Sequence, residues 1–240
     1  MKARPTRSAP DRNTAAPVIT GEAATAPAPV MRADPFRAFV IGIAGGTGSG
    51  KSFLASRLAE SLPGQCAVLS HDWYYQDCPP APAAVRRERN FDRPDALETA
   101  LLCKHLRELA AGRAIAAPRY NYRTHRRFAR TIGLAPAPVI IVEGLFVLAD
   151  APLRRLCDLK VFVDTPADLR LARRVMRTLD EKRLTAREEL RLYLTFARAG
   201  HARWIEPSRR HADIVWDQHG LADSPARTID EINRRLARRR

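Results

Sequence analysis

Residues 45–52 read Gly-Gly-Thr-Gly-Ser-Gly-Lys-Ser, the pattern of a glycine, four residues and then Gly-Lys-Ser. Glycines at these positions let successive backbone N–H groups point into one concavity, where they can hold phosphate oxygens. The helix expected to begin near Lys51 directs its positive dipole end at the same anion. We expect Lys51 to reach the β and γ phosphates of a nucleotide and the Ser52 hydroxyl to bind magnesium. The predicted nucleotide-binding residues of the loop are Gly45, Gly46, Thr47, Gly48, Ser49, Gly50, Lys51 and Ser52.

The segments that flank this loop have the pattern that a nucleotide-binding loop requires. Residues 38–44 form a short apolar run, which is typical of a buried parallel strand. After the loop, Leu54, Leu58 and Leu62 recur every fourth residue, and a Pro-Gly pair then ends the helical pattern. A glycine-rich turn alone is often only a turn, whereas the strand, the loop and the helix together predict nucleotide binding.

The composition is that of one α/β domain with an N-terminal tail. The chain has 240 residues, of which 45% are hydrophobic, and no apolar stretch approaches the roughly 20 residues that span a bilayer. Residues 1–34 are rich in Pro, Ala and Arg and lack the apolar core of a secretion signal, so we predict a disordered leader there. We predict that residues 35–240 form the folded domain, which ends in a basic helix over 225–240.

The net charge indicates the kind of partner, and the cysteine spacing indicates the cellular compartment. The net charge of +15 raises nucleic-acid binding as an alternative, but the sequence has no known DNA- or RNA-binding motif. An arginine-rich protein that acts on anionic small molecules also accounts for the charge, and we favour that interpretation. The four cysteines lie far apart and form no C-x-x-C pair, which favours reduced thiols in a cytoplasm.

The remaining segments alternate between strand and helix patterns. We predict further strands at 66–70, 139–142, 159–163 and 213–216, and helices at 94–111, 166–180, 185–199 and 225–238. Residues 114–118 and 128–134 are expected to pair as a small antiparallel hairpin, and residues 71–93 to be irregular. This order predicts an α/β fold with a mainly parallel sheet and helices on both faces. In such folds, ligands bind beyond the carboxyl ends of the strands.

Two carboxylates follow predicted strands and are candidates for chemistry at that end of the sheet. Asp72 comes after the strand at 66–70, where it could deprotonate a substrate hydroxyl or hold magnesium. An aspartate that only caps a turn is an equally good interpretation of the sequence there. Glu143 ends the apolar run 139–142, and we favour a role on magnesium or its water shell over helix capping.

Cations and aromatic residues supply further candidates. Arg174 and Arg177 lie three residues apart on a predicted helix and share a face, as expected of a lid that stabilises a migrating phosphoryl group. For most of the arginines on this helix, a solvated charged face is the simpler interpretation. His125 follows Tyr120 and Tyr122 within the predicted hairpin. These rings could stack on a flat heterocycle or only pack the hairpin, and spacing does not decide between the two.

Several blocks, taken in order, resemble the uridine kinase family, within the wider group that includes phosphoribulokinase. The resemblance covers roughly residues 36–217. Its most specific blocks are Asp-Trp-Tyr-Tyr at 72–75, Asn-Phe-Asp-Arg-Pro-Asp at 90–95 and Tyr-Asn-Tyr-Arg-Thr-His at 120–125. Further matches are the loop at 45–52, Ile-Val-Glu-Gly at 141–144, Val-Asp-Thr-Pro at 163–166 and Ile-Glu-Pro-Ser at 205–208.

The resemblance implies a three-layer P-loop NTPase fold with a β-hairpin substrate flap, and a role for each matching residue. Asp72 resembles the base for the ribose 5′-hydroxyl of a pyrimidine ribonucleoside. The implied acceptor contacts are Tyr75, Phe91, Asp92, Tyr120, His125 and Arg174, while Arg177 resembles an ATP contact. Ser52, Asp72 and Glu143 match the magnesium site. The resemblance also implies ATP as donor, with GTP as an alternative, and a homo-oligomer, often a tetramer.

The chain departs from the family pattern on the acceptor side and in the lid. Lys182 and Leu184 stand where the family has arginines, Leu192 where it has a glutamine, and Arg93 where histidine is common. Arginine and lysine are not equivalent where two parallel hydrogen bonds are needed. Three hypotheses follow: a uridine or cytidine kinase of pyrimidine salvage, a kinase of another small acceptor such as a sugar phosphate or a vitamin, and a nucleotide-binding module without phosphotransfer.

Overall fold

The computed structural model describes residues 37–78, 82, 85, 89–181, 184–218 and 225–238. All of them belong to one compact unit, Ala33–Arg240. The leader predicted at 1–34 lies outside the described residues, and so do Lys182 and Arg183 of the predicted lid. The predicted domain boundaries therefore stay a prediction.

Five parallel strands form the central sheet: β1 (Phe39–Gly45), β2 (Cys66–Ser70), β7 (Val139–Glu143), β8 (Leu159–Asp164) and β9 (Ile214–Asp217). Their order across the sheet is β2-β7-β1-β8-β9. Strand β1 lies at the centre, with Phe39 opposite Val139 and Ile41 opposite Leu159. This confirms the predicted parallel sheet and places the loop that follows β1 in the middle of its carboxyl edge.

Two apolar clusters, one on each face of the sheet, confirm the three-layer fold. Consecutive residues of β1 alternate between them: Val40 belongs to the cluster that contains Leu102 and Leu106, and Ile41 to the cluster that contains Leu54. The first face is covered by α2 (Thr99–Ala110) and α3 (Ala151–Leu156), and the second by α1 (Lys51–Glu60) and α7 (Pro225–Ala237). Period-two alternation is what a strand buried on both faces requires.

Two helices differ from the sequence-based expectation. The helix predicted from residue 94 begins only at Thr99, because Leu97 has an extended backbone and bridges to Tyr75. Residues Pro94–Ala96 form a separate 3-10 turn. Helix α3 was not predicted, and its N-terminus is capped by the Asp150 side chain, which accepts from the Leu153 backbone N–H at 2.8 Å.

The predicted lid contains α4 (Ala167–Asp180) and α5 (Ala186–Leu192). Helix α5 begins with a capping box, in which Thr185 and Glu188 exchange side-chain and backbone hydrogen bonds. The helix predicted over 185–199 changes to a π-helical turn at Tyr193–Ala197. The helical segment also extends beyond the predicted end, through the short α6 (Arg198–Gly200) and a second π-helical turn, His201–Ile205. A 3-10 segment, Glu206–His211, leads to β9.

The predicted hairpin is present as two short antiparallel pairs. Strand β3 (Ile115–Ala117) pairs with β6 (Ile132–Leu134), and β4 (Tyr120–Asn121) pairs with β5 (Arg126–Arg127). The Arg127 guanidinium donates to the backbone oxygens of Tyr74 and Tyr75, at 3.0 Å each, which ties the hairpin to the segment after β2. None of the helices within the described ranges is long and apolar enough to cross a membrane.

Candidate active site

The glycine-rich loop turns from β1 into α1 with a backbone conformation that residues other than glycine rarely adopt. Gly48 and Gly50 have φ angles of 74° and 96°, in the left-handed region that favours glycine. A Cβ atom on Gly48 would also lie 2.3 Å from the backbone oxygen of Arg170. The loop is therefore wrapped closely by the start of α4, and Gly48 is required both for its conformation and for this approach.

The rear of the loop is held by two residues that follow other strands of the sheet. The backbone oxygen of Ser49 accepts from Thr165 Oγ1 at 3.0 Å and from Gln218 Nε2 at 2.7 Å. Thr165 follows β8 and Gln218 follows β9. Neither residue was predicted to support the loop, because neither belongs to the loop motif.

Lys51 begins α1 and is buried. Its Nζ donates to the backbone oxygen of Gly46 at 2.8 Å, so the ammonium group lies over the concavity of the loop. Burial lowers the pKa of Lys51, while the carboxylates of Glu143 and Asp72 oppose that decrease. The cation is thus placed between the loop and the two predicted carboxylates.

Asp72 and Glu143 lie at the same edge of the sheet. Glu143 ends β7 opposite Ser70, the last residue of β2, and Asp72 lies in the 3-10 turn directly after β2. Desolvation and the neighbouring Glu143 raise the pKa of Asp72 to about 6, against the opposing charges of Lys51 and Arg177. Within the described residues, Asp72 Oδ1 is buried without a hydrogen-bond partner.

These features fit a magnesium ion. A buried, unpartnered carboxylate oxygen beside a second carboxylate is an oxygen site of the kind that magnesium prefers, and this ion usually keeps several waters. No group of three or more His, Cys, Asp or Glu side chains that could hold a metal occurs in the part of the chain that the structure describes. The predicted set of Ser52, Asp72 and Glu143 would supply one hydroxyl and two carboxylates, and waters would complete the shell of the ion.

Four aromatic rings stand together on the acceptor side. The rings of Phe91 and His125 stack with centroids 4.6 Å apart and planes 21° from parallel. Tyr75 contacts Phe91 edge to face at 5.6 Å and Tyr120 at 5.3 Å. His125 has a φ angle of 55°, so the tight turn between β4 and β5 brings its ring to Phe91.

A buried ion cluster lies next to these rings. Arg174 Nε on α4 donates to Glu189 Oε1 on α5 at 2.5 Å, and Arg174 Nη1 lies 3.6 Å from Asp92 Oδ1. Thr178 Oγ1, one turn further along α4, donates to Glu189 Oε2 at 2.8 Å. Burial raises the pKa of Asp92, and the Arg174 cation opposes that increase.

One cavity of about 350 Å³ brings most of the predicted site residues together. Its lining includes Thr47, Gly48, Lys51, Ser52, Asp72, Tyr75, Phe91, Asp92, Tyr120, His125, Glu143, Arg174 and Arg177. Gly45, Gly46, Ser49 and Gly50 shape the loop but are not among the lining residues. For all of these residues, contact with a nucleotide or an acceptor stays a prediction. Leu184 and Leu192, singled out as departures from the family pattern, also line the cavity.

Sequence reasoning missed five residues of this lining: Arg89, Arg123, Leu145, Thr178 and Glu189. Glu189 is the most informative omission, since it is only 3% exposed. It follows Glu188 directly in the sequence, and no pattern there indicates which of the two glutamates faces the cavity. A helical wheel shows which residues share a face of α5, but only the packing of α4 on α5 shows that the face with Glu189 is the buried one.

Comparison with known proteins agrees with this geometry. A sequence model of the Phosphoribulokinase / Uridine kinase family matches residues 40–223. The chain is 41% identical to a uridine kinase from Clostridium botulinum over 77% of its own length and 90% of that protein. It is 40% identical to a uridine kinase from Macrococcus caseolyticus over 75% of its length and 88% of that protein.

A solved structure shares the fold at low sequence identity. Phosphoribulokinase from Rhodobacter spheroides superposes with a TM-score of 0.56 at 14% identity, over 75% of this chain and 70% of that one. The sequence match extends over the loop, both carboxylates, the aromatic rings and the lid. The chain belongs to the phosphoribulokinase/uridine kinase family of kinases.

Proposed function

We propose that the protein transfers the γ-phosphoryl group of ATP to the 5′-hydroxyl of uridine or cytidine, forming UMP or CMP. One observation carries the proposal. A single cavity is lined by the phosphate loop residues Lys51 and Ser52, by Asp72, and by the aromatic residues Phe91 and His125. Donor, acceptor hydroxyl and flat base would thus be bound in one cavity.

Phosphoryl transfer would need a base, cations and a magnesium ion, and different residues would supply each. Asp72 would accept the proton of the acceptor hydroxyl, and its raised pKa brings it closer to the range in which a carboxylate works as a base. Lys51 and Arg177 would face the charge that develops on the migrating phosphoryl group. Magnesium, held through Ser52, Asp72 and Glu143, would neutralise phosphate charge.

Acceptor recognition would rest on the ring group and the ion cluster. Asp92 would accept from ribose hydroxyls, next to Arg174, while Tyr75, Phe91, Tyr120 and His125 would surround the pyrimidine. Aromatic faces bind flat bases by stacking and exclude water from them. The proposal also includes a homo-oligomer, by family resemblance, and a cytoplasmic location, from the four widely spaced cysteines.

A second candidate is a sugar phosphate acceptor, as the name of phosphoribulokinase suggests. Its support is that Arg89 and Arg123 also line the cavity, and guanidinium groups bind phosphate well. The aromatic group weighs against this candidate, because a sugar phosphate offers no flat face to four rings.

A substrate panel tests both candidates. Purified protein with magnesium and ATP would be given uridine, cytidine, purine nucleosides or ribulose 5-phosphate, and ADP release and the phosphorylated product measured. We expect turnover with uridine or cytidine and none with ribulose 5-phosphate. Turnover of ribulose 5-phosphate alone would replace the first candidate by the second. Tight ATP binding without turnover of any acceptor would contradict both and favour a non-catalytic module.

A further inference from the structure

Glu189 is a buried carboxylate in the cavity that the proposed transfer does not use. It is 3% exposed, and both of its carboxylate oxygens accept hydrogen bonds from α4. Burying a carboxylate is costly unless it is paired. Its partners, Arg174 and Thr178, are four residues apart and therefore lie on one face of the helix.

The pairing sets how Arg174 is oriented. Glu189 takes the Nε edge of the guanidinium, and Asp92 lies on the Nη1 side at 3.6 Å, beyond the length of a hydrogen bond. The guanidinium is planar and has five N–H donors in a rigid fork. With its Nε edge held by Glu189, Arg174 approaches Asp92 as an ion pair without forming two parallel hydrogen bonds to it.

We propose that Glu189 is a positioning residue that holds Arg174 away from full pairing with Asp92, so that the Asp92 carboxylate is left to accept from the hydroxyls of the acceptor. Without Glu189, Arg174 and Asp92 would form the stronger bidentate pair that arginine and carboxylate favour. The oxygens that should bind the acceptor would then be occupied. This inference rests on the proposed function, since it concerns the acceptor side of the same site.

The competing explanation is that Glu189 only joins α4 to α5. The two explanations differ in what a variant changes. A purely structural link would lower thermal stability and disturb donor and acceptor binding alike. A positioning residue would raise the KM for the nucleoside with little change in the KM for ATP, and its effect would depend on Arg174.

The test uses Glu189→Gln, which keeps the size of the side chain, and Glu189→Leu, which removes both oxygens. We expect Glu189→Leu to raise the nucleoside KM about tenfold, the effect of losing one charge-assisted hydrogen bond, and Glu189→Gln to raise it less. The matched control is Glu188→Gln on the same helix, because glutamine preserves the capping box. That control should leave both KM values unchanged.

A double-mutant cycle with Arg174→Lys separates positioning from direct contact. If Glu189 acts through Arg174, Glu189→Gln should have little further effect on the nucleoside KM in the Arg174→Lys background. An equal increase in both backgrounds would mean that Glu189 contacts the acceptor itself, and this would overturn the proposal. A nucleoside KM unchanged in Glu189→Leu would overturn it as well.

A spectroscopic measurement keeps the inference distinct from the proposed function. The Nε–H proton of Arg174, bonded to a buried carboxylate, should give a slowly exchanging arginine side-chain NMR signal that is absent in Arg174→Lys. We expect this signal to persist in Glu188→Gln and to be shifted or lost in Glu189→Gln. If no acceptor were turned over, the proposed function would fail, and an unaltered signal in Glu189→Gln would still refute positioning by Glu189.

Discussion

At the scale of single residues, the site contains charged side chains that are buried, and their burial lowers the stability of the folded protein. Asp72 is desolvated, faces the carboxylate of Glu143, and has an oxygen without a partner among the described residues. Lys51 is buried beside both carboxylates. Such strain is expected where charges are arranged for a ligand that brings its own charge.

Replacing Asp72 by asparagine should make the ligand-free protein more stable and abolish turnover. The pKa of Asp72 in the folded protein, about 6, lies above its ordinary value of 3.8. Above both values the ionised carboxylate therefore destabilises the folded state, and asparagine removes that charge. Thermal unfolding at about pH 7.5 without nucleotide should show a higher Tm, by a few degrees.

The same Asp72→Asn variant should bind ATP nearly as well as the wild type while losing phosphotransfer. Calorimetric titration with ATP and the ADP-release assay measure the two properties separately. A turnover rate close to that of the wild type would remove Asp72 from the role of base. A lower Tm for the variant would show that Lys51 and Arg177 stabilise the ionised Asp72 carboxylate more than we infer.

At the scale of elements, the acceptor side depends on how closely the helix after α5 approaches the segment that carries Asp92. Gly200, in α6 between the two π-helical turns, is buried there. A Cβ atom on it would lie 2.3 Å from the backbone oxygen of Asp92. Turns of π-helix inside longer helices are frequent at functional sites, and here they flank the residue of closest approach.

Gly200→Ala should displace Asp92 and weaken acceptor binding. The added methyl group cannot fit without a backbone shift, since its nearest neighbour is a backbone oxygen. We expect the nucleoside KM to rise severalfold, with a KM for ATP close to that of the wild type, because the three atoms nearest to the added methyl group all belong to Asp92. Ala199→Gly, at the preceding exposed position, serves as a control for altered helix propensity.

Steady-state kinetics with each substrate varied in turn measures both constants. Equal increases in the two KM values would indicate a general disturbance of the lid rather than a local displacement of Asp92. Unchanged constants would mean that the segment around Asp92 can move away without affecting the acceptor.

At the scale of the whole molecule, buried histidines couple folding to pH. His71 is fully buried between β2 and α2, where Nε2 lies 3.0 Å from Thr99 Oγ1. Burial lowers its pKa from 6.5 to about 3. The unfolded chain therefore binds a proton at this residue below about pH 6.5, whereas the folded protein does not until about pH 3.

The free energy of unfolding should accordingly fall as the pH is lowered through this window. At pH 5 the loss due to His71 should be about 2 kcal/mol. Asp72 acts in the opposite direction, because its raised pKa lets the folded protein gain a proton first. The contribution of His71 is best isolated by comparing the wild type with His71→Gln in urea denaturation at about pH 7 and pH 5. Equal pH dependence in the two proteins would contradict the assignment.

The parts of the fold and of the site that could be predicted are those specified by residues close together in the sequence. Strand, loop and helix around residues 45–52 are specified by neighbours in the sequence, and the structure has them within a few residues of the prediction. Asp72 and Glu143 could be expected at one edge because parallel strands end together. Helix α3 was missed because it is only six residues long, too short for a helical period to be evident.

Local patterns in the sequence were enough to predict the phosphate loop, the parallel sheet, the strand-end carboxylates and the family. Packing between distant segments instead places Glu189, and not Glu188, at the cavity, and brings Thr165 and Gln218 to Ser49. Thr165 and Gln218 lie 116 and 169 residues from Ser49 in the chain. Contacts over such separations depend on how helices and strands pack, which no local pattern encodes.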